Sequence, residues 1–175
     1  MKIKNIRNLQ KTLSTLGALG TSISNATPKT AIVLGTDQET LDDIMLFSAF
    51  IEDNEIMSVS RDLYASGFYN LAVSEAFKAV DKFVSHKTKQ PTSSGTTMME
   101  SVFSPKTPQL AWSERKSTSE IDEQKGYQRV FSGSMLGIRN PSTHEFEWIT
   151  NATDALELIV FAQHLLKKAK KSYKP

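Results

Sequence analysis

Between Phe68 and Val84, apolar residues recur as Leu71-Ala72-Val73, Ala76-Phe77, Val80 and Phe83-Val84, with Lys78, Asp81 and Lys82 set opposite them. This spacing follows the 3.6-residue turn of an α-helix, so one face is built for burial and the other for water. Such a helix needs other apolar helix faces to pack against. The last stretch of the chain offers one. Over residues 151–171, Ala155, Leu158-Ile159, Ala162, Leu165-Leu166 and Ala169 share a side. That segment ends in Lys167, Lys168, Lys170 and Lys171, where cations suit the negative end of the helix dipole.

The segments between and before these two read the same way. Thr36 with Glu39 forms a capping box, and Leu41, Ile44, Met45, Phe47 or Ser48, and Ile51 continue a helix from it. Asp53-Asn54 interrupts, a helix resumes over 56–66, and Gly67 marks a tight junction. Residues 87–97 read as a loop around Pro91 and Gly95, and 97–103 as a short helix stopped by Ser104-Pro105 and Thr107-Pro108. Residues 110–119 read as an exposed connection carrying Trp112. From Ser119-Glu120 a long helix is expected through Tyr127, Val130-Phe131, Met135 and Ile138. Gly126, Gly133 and Gly137 lie inside it. Each costs roughly 1 kcal/mol relative to Ala, which points to a second backbone approaching closely. Residues 145–150 read as a linker anchored by Phe146 and Trp148. The expected fold class is therefore all-α, a helical bundle over residues 36–175. It is preceded by an arm over 1–35 whose role the pattern does not fix. In the arm, Ile3, Ile6, Leu9 or Gln10, Leu13 and Leu16 suit an amphipathic helix, and Ala31-Ile32-Val33-Leu34 suits a strand or a tether.

Composition narrows the function classes. A chain of 175 residues with 39% hydrophobic and 23% charged residues can bury a proper core. A formal charge of +2 is too mild to imply nucleic-acid binding without local clustering. Cysteine is absent, which excludes disulfides, thiolate metal sites and a cysteine nucleophile. The basic residues 1–11 followed by mildly apolar 12–23 loosely mimic a secretory signal. Thr12, Ser14, Thr15, Gly17, Gly20, Thr21 and Ser22 dilute that run, and a cytoplasmic protein is the expectation. No stretch approaches the ~20 apolar residues of a membrane span, so no membrane partner is expected. The three histidines, His86, His144 and His164, are not at metal-ligand spacing. No phosphate-cradling Gly-rich loop is present. Neither a metal nor a cofactor is expected. Glu75 reads as a surface partner of Lys78 or Lys82, and the C-terminal lysines as a solvated helix end.

One cluster remains that carries chemistry: Arg139-Asn140-Pro141-Ser142-Thr143-His144. Arg presents a planar fork of donors suited to a phosphate, and His exchanges a proton near neutral pH. A phosphate clamp beside a proton-transfer group is the minimum needed to break a phosphodiester without a metal. The same residues also fit a plain helix end, with Asn140 as N-cap and Pro141 as first helical residue.

Three blocks in this order resemble a known group. They are Leu63-Tyr64-x-x-Gly67-Phe68-Tyr69-x-x-Ala72-Val73-x-Glu75-Ala76-Phe77-Lys78, then Ser119-Glu120-x-x-Glu123-Gln124-x-Gly126-Tyr127 with Phe131-x-Gly133, then Arg139-Asn140-Pro141-x-x-His144. Together they resemble the Ymh-like phage and bacterial group of the higher eukaryotes and prokaryotes nucleotide-binding (HEPN) superfamily, over about 56–170. The resemblance implies a metal-independent endoribonuclease used in antiviral defence (abortive infection) or as a toxin. It implies a homodimer in which two Arg-x4-6-His motifs face one cleft. Arg139 would hold the scissile phosphate of RNA, His144 would move the proton, and Asn140 would orient the imidazole or the phosphate. An antitoxin or sensor protein is a further implied partner. The alternatives are a non-catalytic helical subunit binding a partner or nucleotide, and an RNA-binding module using the Lys-rich tail.

Overall fold

The computed structural model describes residues 38–175 apart from Pro91. The expectations for 1–35, and Thr36 of the capping box, lie outside the described residues. The body formed by residues 39–175 is helical. Its elements are α1 (Gln38–Phe50), α2 (Asn54–Ala65), α3 (Tyr69–Thr88), α4 (Gly95–Val102), α5 (Thr118–Ser134), a π-helical turn (Met135–Arg139), α6 (Asn140–His144) and α7 (Ala152–Lys170). Among the described residues there is no strand, only one antiparallel bridge between Ala111 and Tyr173.

The centre is α3, as its stripe requires. Ala72, Val73, Ala76, Phe77, Val80 and Val84 are fully buried, and they pack with α2 on one side and α7 on the other. From α7, Ala155, Ile159, Ala162, Leu165, Leu166 and Ala169 meet them. Each large side chain buried this way contributes about 1.5–3 kcal/mol. Leu71 departs from the expected stripe and is 45% exposed, because it falls beyond the edge of the α2–α3–α7 contact.

Junctions are fixed by side chains reaching across sequence. Asp53 caps α2 by accepting from the Glu55 N–H at 3.0 Å. Gln163 of α7, itself buried, accepts from the N–H groups of Glu52 (2.6 Å) and Asp53 (2.8 Å) and donates to the Phe50 carbonyl (2.9 Å). It thereby closes the α1–α2 turn. Gly67 makes the α2–α3 corner at φ +77°, a conformation that a side chain disfavours. At the far end of α3, Lys87 Nζ donates to the carbonyls of Ala169, Lys170 and Ser172 at 2.7–3.0 Å, satisfying the last turn of α7.

Two connecting segments differ from the sequence expectation. Residues 110–119 do not begin as an exposed connection. Leu110 and Ala111 are fully buried, and Trp112 stacks on Phe103 with ring centroids 4.9 Å apart. The Trp112 indole N–H donates to the Lys168 carbonyl at 2.8 Å, and the buried Gln124 amide bonds the carbonyls of Phe103 and Leu110. The apolar triplet Leu110-Ala111-Trp112 finds its partners on α5 and α7, which local pattern does not reveal. In the linker after α6, Phe146 is 99% exposed and Trp148 41%, whereas Ile149 is the residue that anchors it in the core.

Candidate functional site

The segment carrying Arg139 is one helix with a widened turn, not the helix end expected from Asn140-Pro141. Ser117 and Glu120 form a reciprocal capping box that starts α5, two residues before the expected Ser119. The helix runs to Ser134 and continues through the π turn into α6. Arg139 (φ −62°, ψ −44°) and Asn140 (φ −66°, ψ −51°) both have helical backbones, so Asn140 is not an N-cap. The reason is Pro141. It has no N–H for the carbonyl of Gly137, and its ring crowds that carbonyl in a regular α-helix. A π turn relieves the crowding by widening the ladder, and the Asn140 N–H bonds the Met135 carbonyl, five residues back. The hydroxyls of Ser142 and Thr143 turn back to the Arg139 carbonyl at 3.0 and 2.7 Å.

Helix α3 pins this segment. Asn70 Nδ2 donates to the carbonyls of Ser142 (3.1 Å) and Glu145 (2.8 Å), and the Ser74 and Thr143 hydroxyls meet at 2.9 Å. Short α6 is therefore held at both its middle and its end. A five-residue helix has little stability of its own, so these contacts set where the motif sits.

Arg139 lines a hollow of about 470 Å³ between α3 and the start of α4. Its Nη1 donates to the Asn140 side-chain oxygen at 3.1 Å, while its Nε is buried without an acceptor. Lys78, Lys82 and His86 line the same hollow, as do Asp81, Ser85, Ser93 and Ser94. Lys78, Lys82 and His86 are spaced four apart and form a column along α3. Lys78 pairs with Glu75 at 2.7 Å, as the sequence implied. Among the described residues Lys82 has no ion pair. Asp81 is buried, which pushes its carboxyl up. The Gly95 N–H it accepts at 2.8 Å and the positive Arg139 pull the other way, and burial prevails. That same bond caps α4, because Ser94 makes no side-chain cap. On the other side of the column lies a wider groove of about 670 Å³ between α2 and α3, floored by Val59, Ala79 and Phe83.

Arg139 and Asn140 are thus brought together. His144 is not part of the hollow. It is exposed at the end of α6 and has no hydrogen bond or ion pair among the described residues. Of the other imidazoles, His164 shares a 2.9 Å hydrogen bond with the Tyr127 hydroxyl, while His86 lines both the hollow and the α2–α3 groove. Sequence reasoning missed Lys82 and His86 as neighbours of Arg139. The i, i+4, i+8 spacing with Lys78 was legible, but nothing local shows that α5 and its π turn come back against that face.

Among the described residues the glycines serve no close contact within the chain. A Cβ added at Gly126, Gly133 or Gly137 would meet no atom within 4 Å. Val130 and Leu136 on this length of helix are 39% and 61% exposed. The C-terminal lysines are mostly committed within the fold: Lys167 to Glu52 (2.9 Å), Lys168 to Glu123, and Lys170 to Asp53 (2.8 Å) and Glu55 (3.0 Å).

The described residues form a helical body in which Arg139 lines a hollow together with Lys78 and Lys82. The sequence model of the family described as "Protein of unknown function (Hypoth_ymh)" matches residues 52–169, and the chain belongs to that family. No curated protein and no solved structure is significantly similar to it. Among the described residues no helix is long and apolar enough to cross a membrane.

Proposed function

We propose that the chain is a HEPN-type endoribonuclease that cleaves RNA without a metal ion, acting in phage defence or as a toxin. The observation that carries the reading is Arg139. It lines a hollow together with Lys78 and Lys82. A phosphate in that hollow matches the charge and the terminal donors of such a fork. In the reaction, the 2′-oxygen attacks phosphorus as its proton leaves. Negative charge grows on the phosphoryl oxygens, where Arg139 offsets it. The bond to the 5′-oxygen then breaks, and that oxygen takes up a proton. His144 is the proton acceptor for the 2′-OH. Asn140 orients the guanidinium, through their 3.1 Å bond, rather than the imidazole. A homodimer is part of the reading, with the open glycine face of α5 as the pairing surface.

The position of His144 favours a second reading. It lies outside the hollow of its own chain. A non-catalytic helical subunit that binds a nucleotide or a protein partner needs only Arg139 and the lysines. The two readings separate when end-labelled RNA is incubated in EDTA with wild type, Arg139→Ala and His144→Ala. A general acid–base group contributes about 10²–10⁴-fold and a charge-stabilising donor about 10²–10³-fold, so each variant is expected to lose at least about 100-fold. Equal cleavage by all three, or by none, rejects the nuclease. The tail-lysine reading has less support, since Lys167, Lys168 and Lys170 are already paired.

A further inference from the structure

Two cavities flank one row of side chains. Lys78, Lys82 and His86 line the hollow that holds Arg139, and they also line the groove between α2 and α3. Helix geometry accounts for the sharing. Ala79 and Phe83, which line the groove, follow Lys78 and Lys82 by one residue, about 100° round α3. Asp81 and Ser85, which line the hollow, precede Lys82 and His86 by one residue, on the opposite flank. The row is therefore the common wall of both cavities. We propose that the α2–α3 groove is a base-binding subsite, taking the nucleobase of the RNA nucleotide whose phosphate rests on Lys82 and Arg139. The inference rests on the phosphate reading of Arg139 above and extends it to the neighbouring base.

Charge decides which part of a nucleotide goes where. The α2 wall of the groove is Glu55, Ser58 and Val59 and carries no cation. The acidic side chains at the rim are already neutralised, Glu75 by Lys78 at 2.7 Å and Glu55 by Lys170 at 3.0 Å. Lys87 is committed to the carbonyls at the end of α7. Positive charge available to a ligand thus stands on the row, at Lys82, and across it at Arg139. A phosphate belongs there, and an uncharged group belongs in the groove. The floor of half-buried Val59, Ala79 and Phe83 suits the faces of a base, whose burial removes apolar surface from water. Ser58 and Glu75 at the rim offer a hydroxyl and a carboxylate to its polar edge. A volume of about 670 Å³ is within the range of ligand pockets. A base lodged in it is unpaired, so the RNA is single-stranded at that nucleotide.

The test titrates the full chain, followed by NMR, with adenosine 5′-monophosphate and with ribose 5-phosphate, which keeps the phosphate and lacks the base. A stacked base is worth at least about fivefold in affinity, so the nucleotide is expected to bind at least about fivefold more tightly. The amide signals of Val59 and Ala79 should shift with the nucleotide and stay in place with the sugar phosphate. Ala79→Leu, which fills the groove, should bring the nucleotide down to the affinity of the sugar phosphate, while Arg139→Ala weakens both. Equal affinity of the two ligands for wild type overturns the proposal, as does a nucleotide that leaves Val59 and Ala79 unshifted or binds a folded Ala79→Leu variant undiminished. In each of those cases the phosphate reading stands. The wild-type comparison decides alone if the variant does not fold. Binding of neither ligand overturns the phosphate reading of Arg139, and this one falls with it.

Discussion

Gln163 shows how much one side chain can hold. It is a polar residue on the buried face of α7, and its three hydrogen bonds satisfy three backbone groups of the α1–α2 turn. Replacing it with Leu keeps the volume and strands those groups, each at a cost of the order of 1 kcal/mol. Gln163→Leu should therefore lower stability by about 3 kcal/mol in urea unfolding at constant slope. A change under 0.5 kcal/mol would show that water replaces the amide. Asp53 sits beside it. Burial pushes its carboxyl up, but the Lys170 hydrogen bond, the Glu55 N–H and the Lys170 charge outweigh that, and the pKa falls below the ordinary 3.8. A depressed carboxyl stabilises the fold fully above its unfolded value and loses that contribution as the pH falls through the folded value. Asp53→Asn should therefore be less stable than wild type at pH 7, with the gap closing below about pH 4. A gap that persists at pH 2.5 would place the effect in the helix cap alone. At this scale the sequence was only partly legible. Arg139 and Asn140 were readable as candidates, whereas Gln163 and Lys87 work through partners 82 or more positions away and leave no local signal.

Among the elements, α3 and α7 were legible because a 3.6-residue stripe and a buried face are nearly the same statement. The π turn was not, although its cause is in the sequence. Pro141 following a helix reads equally as a stop, and only α5 continuing unbroken makes widening the solution. Residues 110–112 failed for a related reason: three apolar residues without periodicity gain meaning only when Phe103, Phe131 and α7 surround them. The glycines of α5 carry a prediction of their own. They have open space around them and no positive φ. Gly126→Ala with Gly133→Ala should stabilise the folded chain by up to about 2 kcal/mol through helix propensity. The same pair should weaken self-association, because two methyl groups would stand between paired backbones. Sedimentation of the double variant checks this. A dimer of unchanged affinity would move the pairing surface elsewhere.

For the whole molecule, what matters is that the chemistry-bearing residues come from distant parts of the chain. Lys78, Lys82 and His86 lie on the central helix, Arg139 on the π turn, and the start of α4 closes the hollow. The packing of α3 against α7 fixes the scaffold, and Asn70 and Ser74 dock the motif onto it. Sequence blocks offered Arg139 and His144 as candidates. The hollow itself exists only in the fold, which is why its lysines read as an ordinary wetted face. The central claim is that this arrangement breaks RNA through the substrate's own 2′-OH at Arg139. The most direct test is the chemistry of the ends, read by mass spectrometry after incubating RNA with the protein in EDTA. Products bearing 2′,3′-cyclic phosphate and 5′-hydroxyl ends, formed by wild type and absent with Arg139→Ala, are the predicted result. Intact RNA, 5′-phosphate ends, or the same products from Arg139→Ala would contradict it.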